Sequence, residues 1–249
     1  MNNFIDKTAS IEDDVTVVYN TYVGKDVQIG AGCKIGHGVV IHDDTIIGAN
    51  VRIDDNTILG KTPMKAANSA TTKEQELPAL NISDNCIIGT SVVIYRGAKL
   101  GNKVLVADLS TIRENVEVGD CTIIGRGVAI ENFCKIGSYC KLETNVYITA
   151  YSEIEDRVFV APCVATSNDN FVGRTKERFK HFKGVTIKKG ARIGVGAVIL
   201  PGKIIEEDAL IAAGAVLTGN AKAKKIVAGV PAKEFRDVPI EQLLKNQDL

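Results

Sequence analysis

The chain has 249 residues and a mass of 26.7 kDa, with 45% hydrophobic, 24% charged and 5% aromatic residues, which is too apolar for a disordered chain. Thirty basic residues balance thirty acidic ones, so no global field draws the protein toward nucleic acid or an anionic membrane. The longest apolar stretch, Ala209 to Leu217, is far short of the ~20 residues of a membrane helix, and the opening MNNFIDKTASIEDD has no apolar leader core, so a cytoplasmic chain is expected.

From the N-terminus, an aliphatic residue recurs every six positions: Ile5, Ile11, Val17, Val23, Ile29 and onward without a gap to Leu59. The ladder restarts at Ile82 and runs in phase through Ile88 and Ile94 to Ile154 and Val160, and a third run goes from Ile187 to Leu217. All thirty of these positions hold Ile, Leu or Val. Four residues after nearly every one comes a small or β-branched side chain, such as Ala9, Val15, Cys33, Cys134, Cys140 and Val146, and Gly, Asp and Asn fill the corner positions. One large and one small inward residue per six describe a short strand followed by a corner that needs φ > 0. Three such strands close a triangular coil of eighteen residues, and thirty hexads give about ten coils, a prism roughly 48 Å long at ~4.8 Å per stacked strand.

The same register places Cys33, Cys86, Cys134 and Cys140 inward and Cys121 and Cys163 at corners. With no CxxC pair, they read as reduced packing residues rather than zinc ligands, and no metal is expected. Two segments break the ladder, residues 61–81 and 166–184, and irregular loops of that length in a regular scaffold are usually functional. The expected organisation is a β-helix over 1–218 and a tail over 219–249, with a short helix from Val238 to Asn246. Eight basic residues between Arg174 and Arg192 face only Glu177, and five more between Lys222 and Arg236 face only Glu234. Such clusters favour a phosphate-bearing ligand, while the lack of interleaved aromatics argues against nucleic acid.

The repeat, the stretch ARIGVGAVILPG and the tail IVAGVPAKEFRD resemble the hexapeptide-repeat acyltransferases that use acyl-coenzyme A. CKLETNVYITAYSEIEDRVFVAPCVATSNDN, followed by a basic loop and KGVTIKKGARIG, resembles more narrowly the nucleotide-sugar N-acyltransferases of lipopolysaccharide-type sugars, which acylate 3-amino or 4-amino dideoxy sugars carried on dTDP or UDP. The resemblance implies an all-β, left-handed parallel β-helix, a homotrimer with sites between neighbouring prisms, and acetyl-CoA or another short acyl-CoA as co-substrate. It places coenzyme A along the late coils, near Ala197 and Ala213, with Arg192, Lys225, Pro231 and Arg236 toward its phosphates.

For the sugar, residues eighteen apart stack in one column, Glu114, Asn132, Ala150 and Asn168, beside Asn115, Phe133, Tyr151 and Asp169. The family match adds Asn168, Asp169 and Glu143 at the sugar cleft, and Arg174 and His181 are the loop candidates for the nucleotide. An amine that is an ammonium at neutral pH must lose a proton, and many relatives carry a histidine where this chain has Asp108. Asp108 and Glu114, in the same turn, are the first candidates for that step, with Asp169 third. A zinc enzyme with three convergent histidines does not fit His37, His42 and His181. An acyltransferase for another small acceptor, such as an amino acid or an antibiotic, stays open beside the sugar reading, as does a purely structural prism.

Overall fold

In the computed structural model, which describes residues 2–69, 72 and 75–247, short parallel strands wind into a triangular prism with three flat faces. Face A stacks eleven strands from Phe4–Ile5 to Val216–Leu217, face B ten from Ser10–Ile11 to Ile204–Ile205, and face C twelve from Thr16–Val17 to Lys233–Asp237. Successive strands on a face lie one coil apart in sequence, as in Phe4↔Tyr22 and Ile5↔Val23. Each of the thirty ladder aliphatics is the second residue of a strand. All of them except the exposed Ile5 at the N-terminal end join the small inward residues in one continuous core along the axis. The fold is the left-handed β-helix expected.

The prism is slightly longer than ten coils, because one strand lacks the inward aliphatic and another carries it out of the six-residue phase, at Val227. Ala165–Thr166 is a face A strand whose inward residue is Thr166, buried and tied by its hydroxyl to Thr149 N–H at 2.8 Å and Tyr147 carbonyl at 3.2 Å. Lys225–Ala228 continues face C parallel to Leu210–Ile211, and Lys233–Asp237 adds an antiparallel edge, so much of the expected tail is part of the sheet. The C-terminal segment forms two 3₁₀ turns, Ile240–Gln242 and Leu244–Asn246, instead of one helix. Val238 and Leu243 pack on Ile226 and Leu210, which holds these turns over face C.

Corner chemistry explains the regularity. Asn and Asp occupy many left-handed positions, for example Asp14, Asn20 and Asn56. At six corners an aspartate carboxylate accepts a backbone N–H from the preceding coil: Asp43 from Lys25, Asp55 from His37, Asp84 from Ala49, Asp108 from Thr90, Asp120 from Asn102 and Asp156 from Ser138. Inside, the four buried thiols each donate to a carbonyl of the next coil at 3.1 Å: Cys33 to Gly48, Cys86 to Gly101, Cys134 to Thr149 and Cys140 to Glu155.

The faces differ in what they show to solvent. Outward residues of face B include Lys99, Glu117, Lys135 and Glu153, whereas the leading outward residues of the face A strands, from Phe4 and Tyr22 through Val93 and Tyr147 to Val198 and Val216, carry no charge, and Lys61 ends the strand Ile58–Lys61 at the A–B edge beside Tyr95.

Candidate functional site

Both loops leave the prism at one corner. The first follows the face A strand Ile58–Lys61 and precedes the face B strand Asn81–Ile82; the second follows Ala165–Thr166 and precedes Thr186–Ile187. Five strand spacings separate their exits along face A, about 24 Å. The A–B corner between them is therefore the floor of a cleft with a loop at each end.

That floor holds a buried ionic cluster. Glu114, 2% exposed, receives a bidentate guanidinium from Arg113, Nε at 2.8 Å and Nη2 at 3.1 Å, and Asn132 Nδ2 donates to its Oε1 at 3.1 Å. Arg113 also reaches Glu131 at 3.5 Å and donates to Thr72 of the first loop at 3.1 Å, while its guanidinium lies 5.0 Å from the Tyr95 ring centre. Desolvation works to lower the Arg113 pKa, but its bonds to Glu114 hold it above the ordinary guanidinium value. Burial raises the Glu131 carboxyl above the usual range, against the pull of Arg113. Tyr147 on the adjoining strand is raised by burial and by Glu131. One coil further along, Phe133 and Tyr151 stack face to face at 5.4 Å, both in left-handed backbone.

At the far end the second loop is folded around Asp169. Its carboxylate accepts the N–H groups of Phe171 at 2.8 Å and Gly173 at 2.9 Å and pairs with Arg178 at 2.9 Å. Desolvation would raise this carboxyl, but those partners hold it below the ordinary range. A depression of about 540 Å³ opens here, lined by Asn168, Asp169, Asn170, Arg178, Leu200 and Pro201.

The structure thus brings Glu114, Asn132, Tyr151, Asn168 and Asp169 to one corner. Asp108 and Glu143 follow face C strands and stand at the C–A corner, so Asp108 and Glu114 share a coil but occupy opposite edges of face A. Ala197 and Ala213 are also at the C–A corner; the Ala197 N–H bonds Gly194 carbonyl at 3.3 Å, while that of Ala213 makes no hydrogen bond among the described residues. Arg174 and His181 lie on the exposed second loop, with His181 paired to Glu177 at 3.2 Å. Lys225 is held by Asp237 at 2.6 Å and Glu234 at 3.3 Å, Pro231 forms the cis bond of the hairpin turn, and Arg236 lies over Phe235. Arg192 points outward from face C beneath the C-terminal turns, away from Ala197. Arg113, Glu131 and Tyr95 were absent from the residues expected at the site. The eighteen-residue spacing of Arg113 and Glu131, beside the Glu114–Asn132 pair, was the available signal.

Two family profiles match: the bacterial transferase hexapeptide (six repeats) over residues 20–60, and the hexapeptide repeat of succinyl-transferase over 80–107 and 184–219. No curated protein sequence matches the chain. Among solved structures, the UDP-N-acetylglucosamine O-acyltransferase LpxA of Moraxella catarrhalis aligns over 95% of this chain and 73% of its own, with 19% identity and a TM-score of 0.54. PerB of Caulobacter crescentus, solved with CoA and GDP-perosamine, aligns over 58% of this chain and 54% of its own at 24% identity and a TM-score of 0.39. The chain carries hexapeptide repeats that match these transferase profiles over residues 20–60, 80–107 and 184–219, and it is folded as a left-handed parallel β-helix.

Proposed function

We propose that the protein is an acyl-CoA-dependent N-acyltransferase acting on the amino group of a dTDP- or UDP-linked amino-dideoxy sugar. One observation carries this reading: polar half-sites stand on the two edges of a face whose strands lead with uncharged outward residues. Glu143, Asp108 and the Ala213 N–H are on the C–A edge; Glu114, Asn132, Asn168 and Asp169 are on the A–B edge. A largely uncharged face flanked by two half-sites is suited to closure by further copies of the chain, which sets the A–B edge of one prism beside the C–A edge of the next. In a homotrimer of this kind the acyl donor runs along the C–A corner of the late coils. The sugar lies against Asn168 and Asp169, and the basic second loop faces its diphosphate.

A carboxylate on the C–A edge then takes the proton of the attacking amine, and the thiolate of coenzyme A leaves as the amide forms. Neither metal nor redox chemistry is required for that exchange. The test is release of free thiol from acetyl-CoA with a panel of dTDP- and UDP-linked amino sugars. Turnover with a nucleotide-linked 3- or 4-amino sugar is expected. Turnover confined to free amino acids or aminoglycosides would reject the sugar assignment.

A further inference from the structure

The B–C corner lies opposite face A and outside both half-sites. There the C-terminal 3₁₀ turns roof a cavity of about 390 Å³, a size that falls within the ~300–1,000 Å³ of small-molecule sites. Its floor is a row of outward residues on three successive face C strands in register, Lys141, Phe159 and Arg192. The Phe159 position therefore sits between two cationic positions about 10 Å apart. Its wall is Tyr139 and Arg157, one coil apart, with the guanidinium 4.8 Å from the ring centre.

Arg192 is the informative group. Its Nη1 donates to Gln242 Oε1 at 3.1 Å, but its Nη2 is buried and has no hydrogen-bond partner among the described residues. A charged donor shut away from water without an acceptor is costly, and an anionic oxygen in the cavity would satisfy it. The cavity continues into a second depression of about 370 Å³ that adds Lys189, Lys224 and Lys245. The acids around both are Asp208, Glu207 and Glu241, and Asp208 already accepts the Leu244 N–H at 3.0 Å. Cations outnumber acids six to three around an aromatic floor.

We propose that this corner is a second binding site, which takes a nucleoside phosphate with its base on Phe159 and Tyr139 and its phosphate at Arg192 and Arg157. A flat ring joined to an anion uses both parts of the site. Bare phosphate would leave the aromatic floor empty, and a neutral aromatic would leave Arg192 unpaired. An assembly closed through face A leaves this corner open, so occupancy here is separate from the acyl transfer proposed above.

Two thiols make the test direct. Cys121 lines the cavity, and the exposed Cys163 stands at the C–A corner one coil from Gly196. The full chain is alkylated with iodoacetamide and the rate at each thiol followed by peptide mass spectrometry, with ADP, UDP, acetyl-CoA or inorganic phosphate present. ADP or UDP at four-fifths occupancy is expected to slow Cys121 about five-fold, without slowing Cys163, and the Arg157→Met/Arg192→Met double variant should lose that protection. Unchanged Cys163 kinetics in the variant report that the prism is intact. Protection by acetyl-CoA matching that by ADP assigns the site to the nucleotide end of the acyl donor; protection by ADP or UDP alone assigns it to a free nucleotide. The proposal is overturned if no nucleotide protects Cys121, if inorganic phosphate protects it equally, or if protection survives in the double variant. Acetyl-CoA slowing only Cys163 bears on the acyl-transfer proposal and leaves this one to the nucleotide arms.

Discussion

Asn132 donates to Glu114 across one coil, Nδ2 to Oε1 at 3.1 Å, and the same carboxylate is clamped by both Nε and Nη2 of Arg113. Three polar groups at the A–B corner thus satisfy one another out of water. Removing the Glu114 charge leaves Arg113 only the longer Glu131 contact at 3.5 Å as an ion pair among the described residues, whereas removing both ions of the bidentate pair leaves neither of the two uncompensated. Glu114→Gln is expected to cost about 3 kcal/mol, a fall in Tm of roughly 6–12 °C, and Arg113→Met/Glu114→Met should recover most of it. Thermal unfolding of the three proteins measures this, and a double variant less stable than Glu114→Gln would contradict the account.

The core thiols should be chemically silent in the native protein. Burial pushes Cys134 up to about 12, and Cys86 and Cys140 up to about 11, and it raises Cys33 as well. At pH 8 only Cys121 and Cys163 should react with iodoacetamide, and all six cysteines should react after denaturation. Mass spectrometry of the intact chain counts the adducts. Rapid modification of Cys134 in the folded protein would show that the prism opens along its axis.

Glu131 gives a pH signature of known sign. Its folded carboxyl is raised by burial, so the folded state holds a proton that the unfolded chain releases earlier. Its stabilising contribution is present below the ordinary Glu value and is lost as pH rises through the raised folded value. Glu131→Gln, which is always neutral, should therefore gain stability over wild type at pH 7 and lose that advantage near pH 4. A constant difference in Tm across that range would show that Glu131 is ionised without penalty.

The aliphatic ladder made the strand positions legible because inward Ile, Leu or Val every six residues is a strong steric requirement. Thr166 escaped it, since a β-branched hydroxyl residue fills the same space while bonding Tyr147 and Thr149. That omission had a larger consequence. Counting fourteen hexads between the loops sends them to different corners, whereas the fifteenth, a multiple of three, returns them to the same one. The column Glu114, Asn132 and Asn168 was readable from the eighteen-residue period. The ion pairing was less so, because Arg113 is adjacent to Glu114 in sequence and the spacing alone does not say which way a long side chain turns. The cavity at Arg192 depends on where the C-terminal turns fold back, a contact carried by Val238 and Leu243 that no period announces.

Assembly through face A can be broken without disturbing the core. Val198 points outward from that face, 37% exposed, and is flanked by Ala165 and Val216. Val198→Glu should leave the Tm of the prism nearly unchanged but convert a species of three times the 26.7 kDa chain mass into monomer, with loss of acyl transfer. Sedimentation equilibrium decides it. A monomeric wild type with full activity would refute both the assembly and the composite site.

The two carboxylates of the C–A edge can be separated by height along the prism. A three-fold axis parallel to the prism keeps residues of equal height together, so Glu143 comes level with Thr149–Tyr151 of the next copy, one coil below Asn168. Asp108 comes level with Glu114, three coils or about 14 Å from Asn168. Asp108 also has a structural duty, accepting the Thr90 N–H at 2.8 Å as five other corner aspartates do for their neighbours. Asparagine preserves that acceptor, so Asp108→Asn isolates the charge from the fold. With the amine held at Asn168 and Asp169, Glu143→Gln should lower kcat by ~10²-fold with KM for both substrates little changed, and should remove the acid limb of the pH profile. Asp108→Asn should alter kcat only slightly. The opposite pattern, a large kcat loss and a missing acid limb in Asp108→Asn alone, would move the proton acceptor two coils toward the N-terminus and place the sugar against Glu114 instead of Asn168.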